Sequence, residues 1–418
     1  MSKWEIKQLD VKNAFLHGNL KETVYMEQLL GFHDLLKPSH VCLLKKSLYG
    51  LKQAPRAWFD KLSQCLIKFS FLCSRADPSL FICNNGKYIL LLLIYVDDVI
   101  ITGSNTAFLS KIIHYLGTQF ALKDLGVIHY FLGIEVKHFN GGLFLCQSKY
   151  TQDFLKRANM LSAAPMPTPI SVKPPNLPDA SEPVDATEFR SIVGALQYLT
   201  FTRPDILYAI NKTCQHFQSP TKGNLQAVKC ILRYLCGTLN YGIRLLAQSS
   251  STLFACLDAD WAGCPIPRRS TSGYCVYLGA NCVSWSSKKQ CTISRSSAEV
   301  EYRALAAATA ELLWSSYILQ DIGFSYSKPV QFLCDNMSAL HMTTNPVFHQ
   351  RTKHIQLDYH FVREKVADGT LITRYLPSSQ QVADVFNKVL SKHSFNDLRF
   401  KLGVLSNPLA SLREPDST

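Results

Sequence analysis

The segment Leu91-Leu-Leu-Ile-Tyr-Val-Asp-Asp-Val-Ile-Ile-Thr-Gly103 places two adjacent carboxylates between two apolar runs. The first run extends from Ile89 to Val96, and the second extends from Val99 to Ile101. Short apolar runs of this kind indicate buried strands. The sequence therefore predicts a hairpin that carries Asp97 and Asp98 at its tip.

This acidic pair needs a cationic partner. Carboxylates beside so much apolar surface lose hydration, so they become protonated unless a cation holds them. Mg²⁺ binds one or two carboxylates together with substrate phosphates. For Asp97 and Asp98 taken alone, a solvated turn between two strands is the alternative. The rest of the chain favours the metal site.

Length, charge and cysteine content narrow the class of protein. The chain has 418 residues, 47% hydrophobic, which predicts two or three folded domains. Its 44 Lys and Arg against 31 Asp and Glu give a net charge of +13. Such a charge favours a nucleic-acid partner over a membrane, with a basic protein that lacks a polyanionic partner as the alternative.

The 14 cysteines contain no Cys-x-x-Cys pair, which argues against a zinc ribbon. Cys42, Cys256 and Cys334 stand in apolar contexts and are expected to be reduced core residues. The sequence shows neither a signal peptide nor an apolar run of membrane-spanning length. We therefore expect a soluble intracellular protein without a membrane partner, in a cytoplasmic particle or the nucleus.

Two further segments of the first third carry candidate functional residues. Asp10 follows a short predicted strand, Ile6–Leu9, where a metal ligand fits, although a turn or cap residue is the commoner role. The segment Leu43–Lys61 places a glycine turn before a basic, aromatic helix start. Such a segment brings Lys52 towards phosphates. An ordinary amphipathic helix with Trp58 in the core is the alternative.

Five ordered motifs resemble the reverse transcriptase of copia-type LTR retrotransposons. The motifs are Leu9-Asp-Val-Lys-Asn-Ala-Phe-Leu-His-Gly18, Ser47-Leu-Tyr-Gly-Leu-Lys-Gln-Ala-Pro-Arg-Ala-Trp58, Tyr95-Val-Asp-Asp98, Lys123-Asp-Leu-Gly-Val-Ile-His-Tyr-Phe-Leu-Gly-Ile-Glu-Val136 and Leu143-Phe-Leu-Cys-Gln-Ser-Lys-Tyr150. The resemblance implies a palm and thumb that extend a DNA primer on an RNA template with dNTPs.

The resemblance also implies roles for particular residues. The metal-binding carboxylate triad would be Asp10, Asp97 and Asp98. Phe15 would screen the sugar of the incoming nucleotide, and Gly50 and Lys52 would contact template and nucleotide. Two Mg²⁺ ions, or Mn²⁺ in their place, would lower the pKa of the primer 3′-hydroxyl and neutralise the leaving pyrophosphate. In the family a basic fingers segment precedes the Asp10 motif, and this chain begins nine residues before Asp10. We therefore expect impaired DNA synthesis.

The middle of the chain is predicted to be a linker followed by helices that connect the first and last thirds. Tyr150–Met160 predicts an amphipathic helix, and the Pro-rich stretch from Ala164 to Pro178 indicates a linker. From Asp185 to Leu245 the periodicity predicts helices. Within that region, Arg203-Pro-Asp205 and Leu232-Arg-Tyr-Leu-Cys-Gly-Thr238 resemble the family's connecting region.

From Thr252 the pattern predicts a new domain. Its predicted elements are strand Leu253–Leu257, apolar runs Ser272–Val283 and Trp285–Ile293 around a turn at Gly279-Ala-Asn281, a helix Ser297–Ile322 closed by Gly323, strand Val330–Cys334, a further helix, strand Leu371–Leu376 and a short helix Val382–Leu390. The order βββ-α-β-α-β-α resembles that of the ribonuclease H fold.

Strand ends and helical phase select four carboxylates of this domain. Asp258 ends the first strand and Asp335 ends the fourth, and a parallel pair would bring them together. Glu299 stands at capping-box spacing and is expected to turn back to the helix N-terminus. Glu301 lies about 200° further round the helix, on the core-facing stripe. We predict metal ligands at Asp258, Glu301, Asp335 and Asp384, with a solvated carboxylate as the alternative for each taken singly.

Seven motifs of this domain resemble the copia-type ribonuclease H. They are Asp258–Ala262, Arg268–Tyr274, Ser284–Gln290, Ser294–Ala304, Cys334–Asn336, Arg351–Ile355 and Val382–Asp384. The resemblance implies cleavage of the RNA strand of an RNA–DNA hybrid with two Mg²⁺ ions. Asn387 stands where the family usually has Thr, and Val389 where it often has Pro. For His354 we favour packing or phosphate contact over a proton shuttle.

Together these observations predict a multidomain α/β and α+β protein: a reverse-transcriptase palm and thumb followed by a ribonuclease H-like mixed sheet. The expected domains are palm and thumb at 1–160, linker and helical connection at 161–250, the ribonuclease H-like domain at 251–392 and a tail at 393–418. The rest of a Pol polyprotein is an expected partner. Two alternatives remain: a relic that binds nucleic acid without turnover, and a ribonuclease H whose vestigial palm only binds the hybrid.

Overall fold

The computed structural model describes residues 4–173, 178–264, 267–324, 329–345 and 355–409. Within them the chain forms two compact units. The first lies within Ser2–Ile128 and Tyr317–Ser325, and the second within His129–Ser316 and Tyr326–Thr418. The limit at residue 128 differs from the predicted limits at 160 and 250. His354, for which a role was predicted, lies outside the described residues.

The first unit is built on a six-stranded antiparallel sheet with the strand order β4-β5-β6-β7-β1-β8. Its elements are β1 (Ile6–Val11), β2 (Tyr25–Met26), β3 (Cys42–Leu43), α1 (Ala54–Ile67), β4 (Leu72–Cys73), β5 (Leu80–Asn84), β6 (Ile89–Tyr95), β7 (Asp98–Gly103), α2 (Thr106–Gln119) and β8 (Leu122–Val127). The predicted hairpin is confirmed, since Tyr95 of β6 pairs with Asp98 of β7. Strand β1 runs on to Val11, two residues beyond its predicted end.

The core of the first unit explains the basic, aromatic segment. Pro55 lies in the first turn of α1, where its missing N–H costs nothing. The apolar face of α1 packs Trp58 and Leu62 into the same core as Leu92 of β6 and Ile101 of β7. The Trp58 side chain is 2% exposed, so its core interpretation is confirmed. Cys42, by contrast, is exposed, and its prediction as a core residue was wrong.

The second unit contains two five-stranded sheets, with strand orders β18-β12-β11-β10-β9 and β15-β14-β13-β16-β17. Its elements are β9 (Tyr130–Phe131), β10 (Ile134–Phe139), β11 (Gly142–Cys146), α3 (Ser148–Arg157), α4 (Ala186–Leu199), α5 (Leu207–Cys214), α6 (Lys222–Cys236), β12 (Tyr241–Leu246), β13 (Leu253–Ala259), β14 (Thr271–Leu278), β15 (Asn281–Lys289), α7 (Ser297–Asp321, whose residues from Tyr317 onwards belong to the first unit), β16 (Val330–Cys334), α8 (Met337–Thr344), α9 (Gln356–Ala367), β17 (Leu371–Tyr375), α10 (Lys392–Lys401) and β18 (Val404–Ser406). None of the helices in the described part of the chain is long and apolar enough to cross a membrane.

The second of these sheets has the predicted ribonuclease H topology. Strands β15, β14 and β13 pair antiparallel, and β13, β16 and β17 pair parallel. The turn predicted at Gly279-Ala-Asn281 is confirmed, because β14 ends at Leu278, Gly279 adopts a φ of +62° and β15 begins at Asn281. The short helix predicted from Val382 is a 3₁₀ helix, Val382–Phe386.

Two segments differ from prediction because tertiary pairing overrides local pattern. The last part of the region predicted to be helical is strand β12, which pairs with β11 on one side and β18 on the other. The predicted tail contains helix α10, whose Phe395 and Leu398 are buried in the main core of the unit. Both segments depend on partners that are distant in sequence.

A buried ion pair before α5 links helix α6 to helix α10 within the second unit. Arg203 donates two hydrogen bonds to Asp205, at 3.0 and 2.9 Å, and two more to Thr238. The hydroxyl of Tyr234 donates to Asp205 at 2.5 Å, and Arg399 of α10 donates to that hydroxyl. Burial acts to raise the pKa of Asp205, but the charge and hydrogen bonds of Arg203 outweigh it and lower the pKa.

We expect Asp205→Asn to destabilise the second unit by about 3–5 kcal/mol, because it leaves the Arg203 charge buried without its partner. Since folding lowers the pKa of Asp205, the stabilisation is complete above the ordinary carboxyl pKa and is lost as the pH falls towards the lowered value. Urea unfolding at several pH values measures both effects. Asp153→Asn, at an exposed carboxylate of α3, is the control, and an equal loss in both variants would contradict the prediction.

Two candidate metal centres

The first candidate centre lies where β1 meets the β6–β7 hairpin. Asp10 and Asp98 are direct partners on neighbouring antiparallel strands. Asp97 lies in the two-residue turn, and its carbonyl accepts a hydrogen bond from the N–H of Val11 at 2.9 Å. The three predicted carboxylates thus come from two strands and one turn and lie at the same end of the neighbouring strands β1 and β7.

The turn that carries Asp97 has an unusual backbone. Val96 adopts a φ of +59°, in the left-handed region that a β-branched residue rarely occupies. A two-residue hairpin turn requires a positive φ at this position because only then does its twist match that of the strands. The indole N–H of Trp58 donates to the Val96 carbonyl at 2.7 Å. Helix α1 therefore holds the strained turn in place.

The electrostatics of this centre favour a cation. Burial is the largest cause that raises the pKa of Asp98, and the charges of Asp97 and Asp10 add to the rise. A hydrogen bond of 3.4 Å from the Gln8 amide opposes it. Asp10, Asp97 and Asp98 do not have all their ligand atoms within 4.8 Å of one another.

The other predicted residues of this unit lie in nearby segments. Phe15 belongs to a short 3₁₀ helix that follows β1, and its ring centroid is 4.9 Å from that of Tyr49. Gly50 adopts a φ of +93°, which allows the chain to turn before α1. Lys52 is exposed. An aromatic pair therefore stands beside a turn that carries an exposed lysine, and the nucleotide-contacting role of this segment remains a prediction.

The second candidate centre lies at the carboxyl ends of the parallel strands β13 and β16. Their pairing sets Cys256 opposite Leu333, and the same register carried two residues further sets Asp258 opposite Asp335. Asp258 is 2% exposed, whereas Asp335 is half-buried and accepts a hydrogen bond from the hydroxyl of Ser378 at 2.6 Å. The predicted parallel pair is confirmed.

Helix α7 supplies the third carboxylate. The carboxylate of Glu299 turns back and accepts the N–H of Arg295 at 2.8 Å, as its predicted capping role requires. Glu301 is 5% exposed, and its Oε1 accepts the N–H of Ala259 at 3.2 Å. Ligand atoms of Glu301, Cys334 and Asp335 lie within 4.8 Å of one another, the one such group found among the described residues.

The 3₁₀ helix Val382–Phe386 supplies Asp384, the fourth carboxylate. This helix approaches β14 so closely that a Cβ on Gly273 would lie 2.7 Å from the Cβ of Phe386. The buried amide of Gln381 donates to the carbonyl of Leu257 at 2.8 Å and fixes the helix against β13. Gly273 and Gln381 therefore allow Asp384 to lie near Asp258.

Sequence reasoning missed three residues of this centre. Lys388 forms ion pairs with Asp258 and Asp384, and Asn387 donates to Asp258 at 2.7 Å. The Sγ atom of Cys334 lies 4.0 Å from Oε2 of Glu301. Lys388 was detectable from its i, i+4 spacing to Asp384. Asn387 was noted only as a departure from the family pattern and Cys334 only as a motif member and core residue, and neither was given a role in this centre.

The charges of this centre are poorly compensated by the protein itself. Burial raises the pKa of Glu301 to about 9, and the charges of Asp258 and Asp335 add to the rise. Burial also raises the pKa of Asp384 to about 7, with Asp258 adding and Lys388 opposing. Burial raises the pKa of the Cys334 thiol, so it remains protonated beside the carboxylates. The oxygen-rich donor set fits a hard divalent cation.

Comparison with known proteins shows similarity over nearly the whole chain. Residues 1–172 match the family described as "Reverse transcriptase (RNA-dependent DNA polymerase)". The "Retrovirus-related Pol polyprotein from transposon RE1" of Arabidopsis thaliana is 47% identical over 97% of this chain, which spans 28% of that relative. An uncharacterized mitochondrial protein of the same plant is 50% identical over 54% of this chain and 94% of its own length.

Among solved structures, the foamy viral protease-reverse transcriptase in complex with an RNA/DNA hybrid has a similar fold. The TM-score is 0.52 at 12% sequence identity, and the match covers 93% of this chain and 45% of that one. At this level of identity the similarity concerns the fold alone.

We expect Val96→Gly to stabilise the β6–β7 hairpin by up to about 1 kcal/mol. The left-handed conformation costs Val about 1–2 kcal/mol, whereas the extra freedom of Gly in the unfolded chain costs roughly 0.5–1 kcal/mol. Hydrogen exchange of the β6 and β7 amides in urea measures the change. Val41→Gly, at an exposed residue without a positive φ, is the control and should only destabilise. An equal loss in both variants would refute strain at Val96.

We expect Glu301→Gln to flatten the pH dependence of stability when metal is removed with EDTA. A carboxyl whose pKa is raised from 4.5 to about 9 binds more protons when folded, so wild-type stability should fall as the pH rises between these values. The Gln side chain keeps the shape and loses the titration. Thermal unfolding from pH 5 to 9 measures the slope, with the exposed Glu188→Gln as control. An unchanged slope in Glu301→Gln would overturn the assignment.

Proposed function

This chain belongs to the copia-type family of retrotransposon Pol polyproteins, and from that premise we propose that it combines two metal-dependent activities. The first unit would extend a DNA primer on an RNA template with dNTPs. The second unit would cleave the RNA strand of an RNA–DNA hybrid. The observation that carries the proposal is the convergence of Asp258, Glu301, Asp335 and Asp384 from four elements, with the pKa of two of them raised.

In the nuclease centre the chain's own residues would bind the metal ions and keep the ligand carboxylates in a fixed orientation. Asp258, Glu301, Asp335 and Asp384 would hold two Mg²⁺ ions, with Mn²⁺ as an alternative. When bound, such ions supply the charge that activates the attacking group and stabilises the leaving oxygen. Ser378 and the Ala259 N–H fix the orientation of two of these carboxylates through neutral hydrogen bonds. Fixed ligands lower the reorganisation needed during reaction.

In the polymerase centre Asp10, Asp97 and Asp98 would hold the ions against the nucleotide triphosphate. Phe15 would pack against the sugar, and Gly50 and Lys52 would contact template and nucleotide. Trp58 would act at a distance, since it holds the Val96 turn and therefore the position of Asp97. The net charge of +13 supports contact with nucleic acid phosphates. The rest of a Pol polyprotein is a proposed partner.

A second candidate function is a ribonuclease H whose palm only binds the hybrid. One observation favours it: ligand atoms of Glu301, Cys334 and Asp335 in the nuclease centre lie within 4.8 Å of one another, and among the described residues no such group occurs at Asp10, Asp97 and Asp98. Cleavage without primer extension would select this function.

We expect Asp335→Asn to reduce Mg²⁺-dependent cleavage of a labelled RNA–DNA hybrid by roughly a hundredfold or more, because an amide cannot replace the ligand charge. Asp97→Asn should abolish any primer extension and leave cleavage intact. The assay compares purified variants with and without dNTPs, and Asp153→Asn is the control at an exposed carboxylate. Folded wild-type protein that cleaves no hybrid with Mg²⁺ or Mn²⁺ would instead support a relic that binds nucleic acid.

A further inference from the structure

A lysine lies between two of the four nuclease carboxylates. The ammonium nitrogen of Lys388 is 2.8 Å from Oδ2 of Asp258 and 2.7 Å from Oδ1 of Asp384. The two carboxylates come from different elements, the end of β13 and the 3₁₀ helix that follows β17. One positive charge therefore joins two groups that have been proposed as metal ligands.

We propose that Lys388 is a displaceable internal cation of the nuclease centre. It forms ion pairs with Asp258 and Asp384 when no divalent ion is bound, and it must leave the gap between them before both can bind one. The inference rests on the proposed function, because it takes Asp258 and Asp384 as metal ligands.

The hydrogen bonds around Asp258 indicate which group a divalent ion would displace. Oδ2 of Asp258 accepts both the Lys388 ammonium and the amide of Asn387, which is 1% exposed and donates at 2.7 Å. A buried amide cannot move away, whereas an ammonium on a flexible stem can. A divalent ion that binds both carboxylates needs the space of the ammonium, and two cations at that spacing repel each other.

The route by which Lys388 would leave is open. Its side chain is 38% exposed, while that of Asp258 is 3% exposed. The lysine therefore reaches the gap from the solvent side. A four-carbon stem allows the ammonium to swing outwards without a change of backbone. Once outside, it remains close enough to the centre to contact a phosphate of the bound strand.

In the part of the chain that the structure describes, the other two carboxylates, Glu301 and Asp335, form no ion pair. Glu301 is held by the N–H of Ala259 and Asp335 by the hydroxyl of Ser378, and both donors are neutral. A first divalent ion would therefore bind at Glu301 and Asp335 without displacing a charge. Binding between Asp258 and Asp384 would be the weaker step, and Lys388 would set its affinity.

Calorimetric titration of Mg²⁺ into metal-free protein tests the inference. We expect Lys388→Met to tighten the weaker binding step by roughly tenfold, in the range usual for coupling between two bound species. Lys388→Arg keeps the charge and should leave the affinity near that of wild type. Lys392→Met removes an exposed charge four residues away and is the matched control. In EDTA, Lys388→Met should also melt at a lower temperature than wild type.

A second measurement distinguishes movement of the Lys388 ammonium from a long-range effect of its charge on Mg²⁺ binding. It also keeps the test valid if Lys388→Met does not fold. In protein with ¹⁵N-labelled lysines, the ammonium signal that is missing from the Lys388→Gln variant should shift when Mg²⁺ is added to wild type. A shift, together with tighter binding in the uncharged variants, supports displacement. An ammonium signal that does not respond to Mg²⁺, or an affinity unchanged by removal of the charge, overturns it.

Neither readout depends on turnover, so failure of the two proposals can be told apart. If wild type binds Mg²⁺ and displaces Lys388 but cleaves no hybrid, the proposed function fails and the inference about the lysine stands. If wild type cleaves the hybrid but Lys388→Met binds Mg²⁺ as wild type does, the inference fails and the proposed function stands.

Discussion

The main constraint on this structure is the unfavourable free energy of placing several carboxylates at strand ends where they lose hydration. Each charge loses hydration there, and each neighbour of the same sign raises that cost. Both units nevertheless bring such residues close together: Asp10 pairs with Asp98 on antiparallel strands, and Asp258 and Asp335 lie at the carboxyl ends of the parallel strands β13 and β16. A fold retains so unfavourable an arrangement when a cation compensates it during function.

The two centres hold their carboxylates by different means. In the first unit a turn with a positive φ is held by the indole of Trp58, so its position depends on the packing of α1. In the second unit the 3₁₀ helix with Asp384 is fixed by Gln381 and by the absence of a side chain at Gly273. In the first centre a hydrogen bond from Trp58 therefore holds a strained turn, whereas in the second centre close packing and a buried hydrogen bond hold the 3₁₀ helix.

Sequence reasoning succeeded where a pattern was local. The apolar runs around Asp97 predicted the hairpin, and helical phase separated the cap Glu299 from the core-facing Glu301. It failed where long-range pairing decides, as in β12, whose partners lie in β11 and β18. Lys388 went unnoticed because a lysine near the end of a predicted helix usually faces solvent. Only the positions of Asp258 and Asp384 in space give it a role.

The second unit contains two buried carboxylates with contrasting cationic partners. Asp205 is paired with Arg203, which is 2% exposed and makes four hydrogen bonds in a fixed geometry. Asp258 is paired with Lys388, which is more exposed and carries its charge on a flexible stem. A permanent structural pair benefits from the planar, rigid guanidinium. A pair that must open for another cation benefits from lysine, because its ammonium can be rehydrated without leaving a cavity in the core.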